Sequence, residues 1–232
     1  MKTIGLLGGM SWESTREYYN ILNKLTHAQF GGSNSCPCII HSFNFKIIDD
    51  LQHQGKWQEL AELLIDAAKN LELSGAQILM ICTNTMHIVA DKIESEIGIP
   101  LIHIVDAVAS DINSRGIKTV GLLGTRFTME KDFFSGRLKE KHDISCLIPS
   151  QEERELIHRV IYNELIQGLI LPESKLRYLK IIENLKAKGA EGIILGCTEI
   201  PLLIKQEDTS LPIFDSTGIH AQAAFSVAID NN

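Results

Sequence analysis

The chain repeats itself, and a repeat constrains a fold more tightly than composition does. "KTIGLLGG" from Lys2 returns as "KTVGLLGT" from Lys118, and "GAQILMICTNT" from Gly75 returns as "GAEGIILGCTE" from Gly189. "IPLIHIVDA" from Ile99 returns as "LPIFDSTGI" from Leu211. The three matches keep their order and nearly their separation, which duplication explains better than chance. "TIGLLGG", "AQILMICTN", "TVGLLGT" and "EGIILGCTE" are short apolar runs bounded by glycine or polar turns, the pattern of buried parallel strands. "CIIHSF", "PLIHIV", "SCLIP" and "LPIFD" read as shorter strands. Residues 57–73, 152–168 and 173–188 carry apolar side chains at three-to-four spacing and read as helices. Strands alternating with helices imply the α/β class with mostly parallel sheets. The duplication divides the chain into two similar domains, residues 1–115 and 116–232. The last helical stretch, about residues 220–229, is expected to pack back on the first.

The duplication also decides between two neighbours. In "ICTNTMH", both Cys82 and Thr83 could carry proton chemistry. Aligned without a gap, Gly75 pairs with Gly189, Ala76 with Ala190, Cys82 with Gly196 and Thr83 with Cys197. A one-residue gap would pair the two cysteines but break the match at "GA". Neighbours on a strand point to opposite faces, so Cys82 and Thr83 do not both reach one site. Thr83 is therefore expected to face the ligand, with Cys82 turned into its own domain. Ligands of open α/β sheets bind outside the carboxyl ends of the strands. Two such domains place equivalent strand ends on either side of one cleft.

Several function classes are excluded early. A net charge of −7 without a basic stripe argues against nucleic acid as a partner. No run approaches the ~20 apolar residues of a membrane span, and the start of the chain lacks a secretory pattern, so the expected location is cytoplasmic. Five cysteines do not suggest a disulfide framework. "CPC" at Cys36 and Cys38 has no second pair and reads as packing rather than zinc, and Cys146 reads as buried core. His41, His103 and His220 lack ligand spacing, so no metal site is expected; His87 reads as structural, within reach of its own loop. Glu13 and Glu17 read as a solvated helix face. "LLGGMSW" is neither G-x-G-x-x-G nor a P-loop, which removes a nucleotide reading.

What remains is two polar strand ends, "TNT" and "CTE". Each reads as a strand-to-helix turn whose backbone N–H groups favour negative charge. A helix N-terminus also lowers a thiol's pKa, so thiolate is expected at neutral pH. A proton-transferring group on each side of a cleft suits removal of a proton from a carbon acid and its return to the opposite face.

At "GLLGGMSWEST", "CTNTMH", "LLGTRFTME" and "LGCTEI" the chain resembles the aspartate/glutamate racemase family along essentially its full length. The resemblance implies two Rossmann-like domains with the active site in the cleft between them. It implies cofactor-independent two-base racemisation of an amino acid, without pyridoxal phosphate. The family's G-C-T is intact as Gly196-Cys197-Thr198, whereas its C-N-T falls on Thr83-Asn84-Thr85, with threonine in the cysteine's place. By resemblance Cys197 serves the L-enantiomer and Thr83 the D face. Asn84, Thr85, Thr125, Thr128 and Thr198 would hold the carboxylate and amino group, and Gln52 matches a position at the substrate. Some relatives carry a basic residue near Glu164-Leu165-Ile166, where Leu165 instead offers an apolar wall. That departure argues against strict aspartate specificity; the resemblance implies aspartate or glutamate as the leading substrates, with uncharged amino acids such as homoserine next. The missing first cysteine keeps one rival open, a single-cysteine isomerase or decarboxylase on the same scaffold; a second is a non-catalytic amino-acid-binding protein that uses the same cleft as a sensor. The residues leave open whether the chain forms a homo-oligomer.

Overall fold

A computed structural model describes Met1–Asp230. The chain forms two compact units, one of Met1–His103 with the chain from His220 on, the other of Ile104–Ile219. The first unit runs β1 (Ile4–Gly8), α1 (Trp12–Phe30), β2 (Cys38–Ser42), α2 (Phe45–His53), α3 (Trp57–Leu73), β3 (Ile78–Ile81) and α4 (Ala90–Glu94), with a 3-10 turn at Thr85–Val89. The second runs α5 (Ile104–Ser114), β4 (Thr119–Gly124), α6 (Arg126–Glu130), α7 (Asp132–His142), β5 (Ser145–Leu147), α8 (Gln151–Asn163), α9 (Pro172–Ala187), β6 (Gly192–Gly196), α10 (Ile200–Leu203) and β7 (Ile213–Asp215). The last helix, α11 (Ser216–Ile229), starts in the second unit and gives its residues from His220 on to the first. Among the described residues, no helix is long and apolar enough to cross a membrane.

The fold is α/β with two parallel sheets, ordered β2-β1-β3 and β5-β4-β6-β7. The registers reproduce the sequence repeat. Ile4 pairs with Ile78 in the first sheet, and their equivalents Val120 and Gly192 pair in the second. Gly75 and Gly189 open the matching turns at φ +100° and +101°, a left-handed conformation that glycine adopts without a Cβ penalty. The expected strand at "PLIHIV" shrinks to one parallel bridge, Leu79 to Leu101, because α5 begins at Ile104 and leaves no chain to extend it. The expected helix over 152–168 also differs. It leaves the α-helix at Glu164, continues as a 3-10 turn over Leu165–Gln167 and stops at Gly168, where φ is +76°. The Glu164 carboxylate there accepts from Ser174 Oγ at 2.6 Å.

In the first sheet β1 and β3 are buried along their whole length and covered on both faces, while β2 is partly exposed. Ile4, Leu6, Ile78, Met80 and Cys82 pack with Tyr18 and Leu22 of α1 and with Ala221, Ala224 and Phe225 of α11. Leu7, Leu79 and Ile81 belong to a second cluster with Leu60, Leu64 and Ala68 of α3. In the second unit one continuous core joins β4, β6 and β7 to α5, α8 and α9. Cys146 is only partly buried, unlike the expected core cysteine, because β5 is an outer strand of its sheet.

Candidate active site

Both candidate groups lie just past a strand end, Thr83 two residues after β3 and Cys197 one residue after β6. Cys82 donates its backbone N–H to Leu7 O at 2.9 Å, so it occupies the place that Gly196 takes opposite Gly124. Thr83 then occupies the place of Cys197. Cys82 continues the face of Ile78 and Met80, is fully buried, and has its thiol pushed well up by that burial. Its carbonyl accepts from Ser14 Oγ at 2.6 Å, tying the strand end to α1. Thr83 is partly exposed. The two neighbours therefore differ in access as the alternation requires.

The turn around the first strand end is built by "GGMSW". Gly9 sits at φ +80°, and a Cβ there would fall 2.3 Å from Phe43 O, so only glycine fits. Its N–H is received by Thr15 Oγ1 at 2.7 Å, and Ser11 caps α1 by accepting from Ser14 N–H. Asn84 and Thr85, both buried, follow Thr83 directly into the 3-10 turn. His87, one turn on, lies with Nδ1 2.9 Å from the Thr83 carbonyl. Gln52 is buried on the last turn of α2.

The second strand end carries a hydrogen-bonded dyad. Cys197 Sγ donates to Glu199 Oε2 at 2.9 Å, and Thr198 Oγ1 donates to the same oxygen at 2.9 Å. Burial and then the Glu199 carboxylate push the Cys197 thiol well up; the N–H groups of Glu199 and Thr198 pull the other way and lose. The expectation of a resting thiolate is thus corrected. The helix that follows, α10, has four residues, too short to bring much dipole to bear against a buried thiol. Cys197 rests as a thiol with a carboxylate in contact. Glu199 of "GCTE" is a site residue that the strand-end reading of the sequence does not include. An acidic residue two positions after a strand-end cysteine was the available signal.

The remaining candidates divide by surroundings. Thr125 caps α6, accepting from Thr128 N–H, and the two hydroxyls lie 3.2 Å apart. Thr128 is fully buried and packs beneath Gly124 and Gly196, where an added Cβ would lie 3.1 and 3.2 Å from it. Leu165 is buried in the same core cluster as Cys197. So Thr125, Thr128 and Leu165 surround the Cys197 strand end or its core, while Asn84, Thr85 and His87 follow Thr83. Among the described residues, no group of three or more His, Cys, Asp or Glu side chains is arranged to hold a metal ion.

Comparison with known proteins places these features in context. A family model described as Asp/Glu/Hydantoin racemase matches residues 7–224. The broad specificity amino-acid racemase RacX of Bacillus subtilis (strain 168) is 23% identical, with 96% of each chain covered. The crystal structure of a candidate Asp/Glu racemase from Yersinia pestis is 50% identical with a TM-score of 0.95, covering 99% of this chain and 100% of that one. An aspartate racemase homologue from Pyrococcus horikoshii OT3 is 38% identical with a TM-score of 0.88, again covering 99% and 100%.

Proposed function

Because the chain belongs to the Asp/Glu/hydantoin racemase family, whose racemases are isomerases, we propose that it interconverts L- and D-amino acids by two-base proton transfer at Cα, without a cofactor. The observation that carries this reading is the Cys197 thiol seated on the Glu199 carboxylate at a strand end, with Thr83 at the equivalent end of the repeat. Racemisation needs an acid and a base acting on opposite faces of one carbon, and the duplication supplies two groups in equivalent places.

The resting thiol is not an obstacle. Glu199 takes the Sγ proton and leaves a thiolate, which is the competent base. The thiolate removes the α-proton of the L-enantiomer, and the electron pair passes to the carbanion. The Thr83 hydroxyl then protonates the opposite face. Thr83 is left one proton short and Glu199 one proton over, and exchange with solvent resets both. In the other direction Thr83 must act as base, which is harder because a hydroxyl ionises far less readily than a thiol.

The carboxylate and amino group of the substrate are assigned to Asn84, Thr85, Thr125 and Thr198, with Gln52 at the substrate and Thr128 supporting Thr125 from below. Leu165 supplies apolar surface, which favours a range that extends past aspartate and glutamate to uncharged amino acids. The location is cytoplasmic in this reading. The test is to incubate L- and D-aspartate, glutamate and homoserine with the protein and follow optical rotation. Convergence on a racemate from both sides is expected for at least one pair. Release of carbon dioxide would mean a decarboxylase, and binding without turnover would mean a sensor.

A further inference from the structure

Four side chains distant in sequence meet inside the first unit: Tyr18, His87, His103 and His220, all buried. Their tautomers follow from their partners. The Ile102 carbonyl can only accept, so His220 Nε2, 2.6 Å from it, carries the proton. His220 Nδ1 is then an acceptor, and the Tyr18 hydroxyl donates to it at 2.9 Å. The same reasoning makes His87 Nδ1 a donor to the Thr83 carbonyl. The His87 ring is wedged edge-on against His103 and His220, with centroids 4.8 and 5.4 Å away. Burial first, then the two neighbouring imidazoles, hold His87 far below its ordinary pKa, so it stays neutral with its single proton at Nδ1.

The second repeat forms its turn without this device. Pro201 stands where His87 would be, and Glu199 stands where the first repeat has Thr85. The strand-end geometry therefore does not itself require an imidazole. What sets the first end apart is that its hydroxyl has no carboxylate two residues on.

We propose that His87 is a positioning residue for Thr83: its Nδ1–H, locked by the buried ring cluster, fixes the Thr83 backbone so that the hydroxyl meets the substrate carbon at one distance and angle. The proposal rests on the reading of Thr83 as the second proton-transferring group. Positioning of this kind matters because a small displacement of a reacting group costs rate steeply. Loss of His87 should therefore disable one face of the reaction and spare the other.

Heavy water separates the faces. In the wild type each inversion places one deuteron on Cα and the unreacted enantiomer keeps its proton, so exchange and inversion run one to one. In His87→Ala the Cys197 face still removes the proton and, after exchange with solvent, returns a deuteron to the same face. Exchange in the enantiomer that Cys197 deprotonates should then outrun its inversion several-fold. His87→Asn, whose amide keeps a donor near the Nδ1 position, should bring the ratio back toward one. A ratio that stays near one in His87→Ala, whatever the absolute rates, overturns the proposal, as does a failure of His87→Asn to restore it. If His87→Ala does not fold, nitrogen-15 NMR of histidine-labelled wild type decides instead. A neutral ring protonated at Nδ1 is expected at neutral pH, and protonation at Nε2 contradicts it. Thr83→Ala keeps the two readings apart: inversion at the wild-type rate there would overturn the role of Thr83 itself.

Discussion

At the end of β6 the chain sets a thiol against a carboxylate; at the equivalent end of β3 it sets a hydroxyl whose backbone is held by a buried imidazole. The register of β1 with β3 matches that of β4 with β6, and the glycine turn before β3 matches the one before β6. Past the strand ends the two halves diverge at every position: Cys197, Thr198, Glu199, Ile200 and Pro201 correspond to Thr83, Asn84, Thr85, Met86 and His87. The shared backbone decides where a group stands, and those few side chains decide what it does. One end sets a carboxylate against a thiol that burial keeps protonated. At the other, Thr85 stands in the place of that carboxylate, and His87 meets the Thr83 carbonyl.

The strongest way to break the comparison is to silence the thiol end. Cys197→Ser should lower kcat by on the order of 10³-fold or more with the fold intact, since oxygen ionises far less readily than sulfur. Steady-state assays beside circular dichroism check it, and near-normal turnover would remove Cys197 from the chemistry.

Glu199→Gln tests whether the dyad is more than a contact. Loss of a general base should cost about 10²-fold in kcat at neutral pH. The same change removes the charge and the hydrogen bond that help hold the thiol up, so Cys197 should ionise at lower pH than in the wild type. Alkylation rate against pH reads this directly. An unchanged or upward-shifted profile would count against the dyad.

The imidazole end makes a prediction about stability rather than rate. Burial holds His220 at about 4 against an ordinary 6.5, and His87 is lowered too. Above 6.5 native and unfolded chains are both neutral at these rings, and nothing is lost. As pH falls below 6.5 the unfolded chain takes up protons that the native state refuses, so stability declines until the native ring itself titrates near 4. For His220 this amounts to roughly 3 kcal/mol. Melting temperature should fall steadily over that window, and less steeply in His220→Gln; parallel slopes would contradict the assignment.

The smallest effect on activity is expected at Cys82. Cys82→Ser buries a hydroxyl in an apolar cluster and should cost about 1–3 kcal/mol of stability while kcat stays close to wild type. Inactivity matching that of Cys197→Ser would mean the wrong neighbour had been placed at the site.

Much of this was legible in the sequence because duplication leaves two readings of one backbone. The matches from Lys2 and Gly75 carried the paired strands, the paired glycine turns and the equivalence of Thr83 with Cys197. The break at Glu164 was less legible, since apolar spacing continues through Leu165 and only Gly168 marks the end. The thiol's resting state was misjudged because a turn reads the same whether α10 has four residues or twelve, and because burial is not written in "GCT". The histidine cluster was invisible for another reason. Tyr18, His87, His103 and His220 come from α1, the 3-10 turn, the segment before α5, and α11, and no local pattern links them. Their meeting depends on α11 giving its later residues to the first unit.

The unlike strand ends are tested most directly by primary isotope effects with α-deuterated substrate in the two directions. Proton removal by Thr83 should limit the D-to-L direction more than removal by Cys197 limits L-to-D. The effect on kcat should then be larger from the D side, while kcat/KM remains equal in both directions for protiated enantiomers of equal free energy. Thr83→Cys should bring the two isotope effects together. Equal effects in the wild type, unmoved by Thr83→Cys, would contradict the account.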